Sequence, residues 1–98
     1  MIKVDLREEN KIVITGHAGY DEKGKDIVCA SVSSIVITTI NAIIEFDESA
    51  INYVDKNDKM SIEIVKEDNI TNKLINNMID LLKSLSKDYP KNIIVKES

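Results

Sequence analysis

The chain has 98 residues, a net charge of −4 at pH 7, 43% apolar residues and 31% charged residues, an ordinary balance for a soluble globular protein. This length suits one domain, and we interpret residues 1–98 as a single domain. One cysteine excludes an internal disulfide, and one cysteine with one histidine is too few for a structural zinc site. The acidic balance argues against direct nucleic-acid binding through a basic face.

Two segments bear on where the protein works. Residues 1–10 carry charges too early for a signal peptide, and the apolar stretch 27–46 is interrupted by serine, threonine and asparagine. We therefore expect a cytoplasmic protein that makes no contact with a membrane.

The first part of the chain has the pattern of two strands followed by a loop. Residues 1–7 alternate apolar and polar side chains, and residues 11–15 are mostly β-branched and apolar. The segment 8–10 between them predicts a hairpin turn. Residues 16–25 contain all three glycines and several charges, which predicts a loop.

From Asp26 onward the spacing of apolar residues changes to three and four, which predicts a helix over 27–46. The positions that carry this spacing are Val28, Val32, Ile35, Thr39 and Ile43. Many β-branched side chains in the same segment favour a strand, but the length and the spacing favour a helix. Asp26 precedes the helix and is a good N-cap residue, because its carboxylate accepts from free backbone N–H groups.

The rest of the chain predicts two strands, a helix and a last strand. The strands are 50–55 and 60–66, joined by a turn at 56–59. An apolar stripe predicts a helix over 70–88, ended by Tyr89–Pro90, before the strand 92–96. The order ββαββαβ predicts an α+β fold, a single and mostly antiparallel sheet with two helices packed on one face.

The one cysteine, the one histidine and all three glycines fall within residues 16–29, which predicts a functional site there. Cys29 is the third residue of the predicted helix, where unpaired N–H groups and the helix dipole favour a thiolate. We expect the N–H groups of Cys29 and Ala30 to bind the oxyanion of a tetrahedral intermediate. The competing interpretation is a buried cysteine that acts as a small apolar side chain.

Two polar residues lie within reach of Cys29 in this scheme. His17 follows the second predicted strand and is placed to exchange a proton with the thiol, unless it is an exposed loop residue without a role. Ser33 lies one helical turn beyond Cys29 on the same face. It either donates a hydrogen bond to a substrate or provides a small side chain for close packing.

The glycines predict turns and a substrate flap. Gly16 permits a sharp turn beside His17, and Gly19 and Gly24 bracket Tyr20 as hinges of a flap over residues 18–25, unless they form ordinary turns. The acidic residues of this loop have no recognised metal-ligand spacing. We therefore predict neither a metal nor a cofactor.

Several of these residues resemble the ribosomal-processing cysteine protease family, often called Prp. The resemblance is specific over about residues 14–44 and extends along the chain in the order and length of the elements. It is carried by Gly16–His17–Ala18, Asp26–Ile27–Val28–Cys29–Ala30, Ser33 and Asn41–Ala42–Ile43. Two positions depart from the family pattern, because Asp21 stands where a glycine is usual and Ser31 where glycine or alanine is usual.

The resemblance implies a cysteine endopeptidase that removes a short N-terminal extension from the large-subunit ribosomal protein numbered twenty-seven. It also implies a homodimer, with the ribosomal protein precursor as peptide substrate. Cys29 is then the nucleophile and His17 the general base, with Asp26 and Ser33 in supporting roles. An acid completing a triad has to be Asp or Glu, and Asp26 is nearest in sequence. If Asp26 serves only as a cap, the enzyme uses a dyad.

Two other functions fit the same residues. One is a ribosome-associated dimer that binds a peptide at residues 16–29 without cutting it. The other is a thiol redox switch at Cys29, which requires a thiol from a partner because the chain has no second cysteine.

Overall fold

The computed structural model describes residues 1–22 and 25–98. Its elements follow the predicted order ββαββαβ, and their bounds lie within two residues of the predicted ones. They are β1 (Ile2–Asp5), β2 (Lys11–Thr15), α1 (Ile27–Phe46), β3 (Ile51–Lys56), β4 (Lys59–Ile64), α2 (Asn69–Asp88) and β5 (Ile93–Lys96).

The strands form one sheet in the order β3-β4-β2-β1-β5. Among the described residues, three neighbouring pairs are antiparallel and the β1–β5 pair is parallel, so the predicted mostly antiparallel sheet is confirmed. The two helices pack against each other over the apolar face of the sheet. The core between these layers includes Val4, Ile14, Val32, Ile40, Ile62, Met78, Leu82 and Ile93.

Helix α1 begins and ends where the sequence predicts. Its buried stripe outweighs the strand preference of its β-branched residues, because packing of one apolar face stabilises a helix more than intrinsic propensity does. The buried positions are Val28, Val32, Val36, Thr39, Ile40 and Ile43. Helix α1 also has the length and composition of a membrane span, with 20 residues and a mean hydropathy of 2.1 over an 18-residue window, but its buried stripe lies in the core of the fold.

One end of the sheet gathers segments that are distant in sequence. The end of β2 lies beside the starts of β1 and β4, since Thr15 pairs with Lys3 and with Lys59. The start of β5 lies there too, because Ile2 pairs with Ile93. The chain leaves this end of the sheet after β2 and enters α1 at Asp26, so the loop between them lies over the same end.

The turn between β3 and β4 differs from the prediction. It has two residues, Asn57 and Asp58, with φ values of 54° and 60°, whereas the sequence predicted a turn over 56–59. Lys56 and Lys59 pair with each other, and a two-residue turn with both φ angles positive matches the twist of an antiparallel hairpin. This tight turn places Asp58 beside the end of β2.

Gly16 makes the sharp turn that the sequence predicts after β2. Its φ is +89°, and a Cβ atom at this position would fall on the carbonyl oxygen of Met1. Gly19 also has a positive φ, +67°, but a Cβ there would meet nothing within 4 Å. The two glycines therefore share a backbone requirement, and only Gly16 lacks space for a side chain.

Gly16→Ala should lower the free energy of unfolding more than Gly19→Ala does. The positive φ alone costs an alanine about 1–2 kcal/mol, which is the effect expected at Gly19. The contact with the Met1 carbonyl should raise the cost at Gly16 to about 2–4 kcal/mol. Urea denaturation of both variants measures the difference, and equal costs would contradict this account of the turn.

Candidate active site

Asp26 connects the start of α1 to the preceding loop. Its Oδ1 accepts from the N–H groups of Val28 and Cys29 at 2.9 and 3.1 Å, which confirms the predicted N-cap. Its Oδ2 accepts from the N–H groups of Tyr20 and Asp21 at 2.9 and 3.2 Å. Asp26 is only 8% exposed, so one buried carboxylate orders both the helix end and the loop.

These contacts also set the charge of Asp26. Burial raises the pKa of its carboxyl, but four backbone N–H groups outweigh burial and hold the pKa below its ordinary value of 3.8. The group is therefore an anion at neutral pH, and both of its oxygens are engaged by the backbone. This arrangement favours the alternative in which Asp26 is a cap and not the acid of a triad.

The prediction that the N–H groups of Cys29 and Ala30 bind an oxyanion is wrong. The Cys29 N–H donates to Asp26 Oδ1, and the Ala30 N–H donates to the Asp26 carbonyl oxygen at 3.0 Å. The cap side chain and the first helical hydrogen bond thus use the two groups that were predicted to face the substrate. Neither of these two groups is free to bind an oxyanion.

Cys29 is half-buried, with its sulfur directed at the loop after β2. The backbone N–H of Ala18 donates to Sγ at 3.3 Å. This contact holds the loop after β2 against the sulfur at the first turn of α1. Cys29 is therefore partly open to solvent and does not lie fully in the core, so a reagent or substrate can reach its sulfur.

Two neighbouring cavities have three lining residues in common, Cys29, His17 and Ser33. The sheet-side cavity is about 220 Å³ and the helix-side cavity about 530 Å³. The sheet-side cavity is also lined by Ile2, Ile14, Gly16, Val32, Asp55, Asp58 and Met60. The helix-side cavity is also lined by Gly19, Asp21, Asp26 and Ala30. The predicted thiol, imidazole and hydroxyl therefore meet in one groove.

His17 has a partner that the sequence reasoning missed. Its Nε2 lies 3.3 Å from Oδ2 of Asp58, which comes from the β3–β4 turn. The side chains are 64% and 70% exposed, so this is a solvated contact of small energy. Only the strand register, which sets Thr15 beside Lys59, brings the two together.

Two of the three predicted flap residues, Gly19 and Tyr20, lie in the described part of the chain. Gly19 lines the helix-side cavity, and Tyr20 packs edge-to-face against Tyr89 with ring centroids 5.4 Å apart. Gly24 lies outside the described residues. The role of the segment as a flap stays a prediction.

The groove combines groups for acyl transfer. A thiol beside a helix N-terminus provides a nucleophile, and an imidazole on the same groove wall moves a proton. Within the described parts of the chain, no three His, Cys, Asp or Glu side chains are grouped to hold a metal ion. A thiol and an imidazole on one groove are the pair of groups that cysteine-dependent hydrolases use, so the fold and the site fit that class of enzyme.

The sequence comparisons name the family. The model of the family described as "Cysteine protease Prp" matches residues 1–94. The ribosomal processing cysteine protease Prp of Staphylococcus aureus is 35% identical over 101 residues, which cover 95% of each chain. That of Mycoplasma genitalium is 32% identical over 99 residues, which cover 99% of this chain and 96% of the relative.

Solved structures agree with the sequence match. The S. aureus Prp in complex with a covalently linked product peptide has a TM-score of 0.87 and 29% identity, with complete coverage of both chains. The same protease with a substrate peptide has a TM-score of 0.81 and 28% identity. The chain belongs to the Prp family of cysteine proteases. An enzyme is therefore favoured over a module that binds peptides without cutting them.

Asp26→Asn should separate the cap from the loop anchor. Asparagine keeps an oxygen for the N–H groups of α1 but presents an amide group to those of Tyr20 and Asp21, so the loop loses its acceptor. We expect kcat/KM to fall about 10- to 100-fold, as for a displaced catalytic loop. Peptide cleavage kinetics measure this effect, and unchanged kinetics would contradict the anchoring role of the carboxylate.

The same variant tests the charge of Asp26. Because its folded pKa is depressed, the ionised group contributes stability above about pH 4, and this is lost as the pH falls through the folded pKa. Asp26→Asn should therefore show a shallower fall of Tm in acid. Asp68→Asn is the matched control, since Asp68 caps α2 through Thr71 and also has a lowered pKa. Asp68→Asn should also make the fall of Tm in acid shallower, but it should leave the rate of peptide cleavage unchanged.

Proposed function

We propose that the chain is a cysteine endopeptidase that removes the N-terminal extension of the large-subunit ribosomal protein numbered twenty-seven. The observation that carries this proposal is the groove in which two cavities share Cys29 and His17. Such a groove offers room for peptide residues on both sides of a scissile bond. The relatives are ribosomal processing proteases, and the S. aureus enzyme has been seen with substrate and product peptides, which supports this substrate class.

In this mechanism Cys29 is the nucleophile and His17 the general base. The imidazole takes the thiol proton, and the thiolate attacks the scissile carbonyl carbon to form a tetrahedral intermediate. The intermediate collapses to a thioester when His17 protonates the leaving amine. A water molecule then hydrolyses the thioester, which releases the acid product and restores the thiol.

The remaining groove residues support this dyad. Asp58 lies at Nε2 of His17 and so favours the ring orientation that leaves Nδ1 for the thiol. Asp26 supports the dyad by accepting from the backbone N–H of Cys29. Ser33 lines both cavities and offers a hydroxyl to the substrate. Gly19 and Asp21 line the helix-side cavity, so the loop of the predicted flap borders the bound peptide.

Cys29→Ser and His17→Ala should each abolish cleavage of a peptide that spans the natural junction. The first variant removes the thiolate, and the second removes the group that moves the proton. Mass spectrometry of the ribosomal protein precursor after incubation is the measurement. Cleavage at the wild-type rate by either variant would refute these roles. A precursor that binds the wild-type protein but keeps its length would favour the binding module.

In the same cleavage assay, Asp58→Asn should cause a partial loss of activity. Asparagine tolerates the left-handed backbone of the turn, so the change removes mainly the charge. We expect kcat to fall about two- to fivefold, and the loss to shrink as added salt screens the pair. Asp55→Asn removes the same charge from the sheet-side cavity without touching the pair. Equal effects of the two variants would assign the loss to cavity charge instead.

We also propose that the enzyme is a cytoplasmic homodimer that contacts neither nucleic acid nor membrane directly. Exposed apolar side chains on the helices support the dimer, because they offer an apolar contact face. They include Ile37, Ile44, Phe46 and Leu81. Sedimentation equilibrium should give twice the chain mass, and Ile37→Asp with Ile44→Asp should give the single mass. A monomer for the wild type, or recovery in the membrane fraction of lysed cells, would contradict this assignment.

A further inference from the structure

The mechanism above leaves one requirement open, a donor that stabilises negative charge at the reacting centre. The N–H groups of Val28, Cys29 and Ala30 are engaged by Asp26. Within residues 1–22 and 25–98, the backbone N–H that donates to the Cys29 sulfur is that of Ala18, at 3.3 Å. The donor aimed at the reacting atom therefore comes from the loop after β2, and something has to hold this loop in place.

Asn92 holds it. The Asn92 side-chain Nδ2 donates to the carbonyl oxygen of Ala18 at 3.0 Å. Asn92 is itself fixed by its backbone, because its carbonyl accepts from Ile2 N–H at 2.8 Å and its N–H donates to Tyr89 O at 3.0 Å. Ala18 is only 2% exposed, so it lies enclosed between the asparagine and the thiol.

We propose that Asn92 is a positioning residue that keeps the Ala18 N–H on the reacting sulfur. Negative charge lies first on Sγ, and after attack it lies on the carbonyl oxygen next to the new carbon–sulfur bond. A backbone N–H held in place before the reaction stabilises such charge without reorganising during the step. The inference rests on the proposed role of Cys29 as nucleophile.

A second contact ties the same two segments together. Tyr20, two residues after Ala18, packs edge-to-face against Tyr89 at the end of α2. The Asp26 carboxylate binds the Tyr20 N–H from the other direction. These contacts set the path of the loop beyond Ala18, and the Asn92 amide fixes the residue whose N–H meets the sulfur.

Asn92→Asp and Asn92→Ala test the proposal. Aspartate keeps the shape of the side chain but donates no hydrogen bond when ionised, and alanine removes the group. We expect kcat to fall about five- to tenfold in each, with KM nearly unchanged. The rate of Cys29 alkylation by iodoacetamide at neutral pH should also fall, because the thiolate loses its donor. The matched control is Asn52→Ala, whose amide binds Glu63 on the sheet and should leave both rates unchanged.

A backbone change tests the donor itself. Replacing Ala18 by lactic acid turns one amide into an ester, which removes the N–H and keeps the methyl side chain. This analogue should slow alkylation and cleavage at least as much as Asn92→Asp does. Adding Asn92→Asp to the ester should cost little more, since both changes act on one contact.

The outcomes separate this inference from the proposed function. Wild-type kcat and alkylation rates in folded Asn92 variants would overturn the positioning role, and so would a change confined to KM or Tm. The proposed function would stand in either case if Cys29→Ser is inactive. If Cys29→Ser cleaves normally, the proposed function fails, while the alkylation rates still report whether Asn92 controls the sulfur.

Discussion

The buried carboxylate of Asp26 is the constraint on which the geometry of the site depends. One of its oxygens caps α1, and the other accepts from the N–H groups of Tyr20 and Asp21. A single anion thus fixes the first turn of α1, which carries Cys29, and the path of the loop beside it. The cost of burying this anion is offset by four charge-assisted hydrogen bonds, which also keep its pKa low.

The site is assembled at one end of the sheet from segments far apart in the chain. The start of α1 contributes Cys29, the loop after β2 contributes His17 and Ala18, the β3–β4 turn contributes Asp58, and the connection before β5 contributes Asn92. The strand order brings these segments together, because β2 ends where β1, β4 and β5 begin. The end of the sheet therefore supports a candidate site whose polar groups lie mostly on loops.

Much of the fold and part of the site could be predicted from local patterns. The bounds of α1 and its cap at Asp26 follow from apolar spacing and side-chain chemistry, and both are confirmed. The predicted donors at Cys29 and Ala30 are wrong, because the pattern locates the helix end but does not say which acceptor occupies it. The partners Asp58 and Asn92 carry no local signal, since an Asp in a turn or an Asn before a strand is common in any protein.

The sequence by itself determined the order of the elements, the helix that starts at residue 27, and the nucleophile candidate in its first turn. These features depend on residues within a few positions of one another, so short-range periodicity and capping preferences reveal them. The tertiary structure alone decided which groups face Cys29 and His17, namely the Ala18 N–H and the Asp58 carboxylate. Their positions depend on strand register and loop path, which are set by contacts between residues that are remote in the chain.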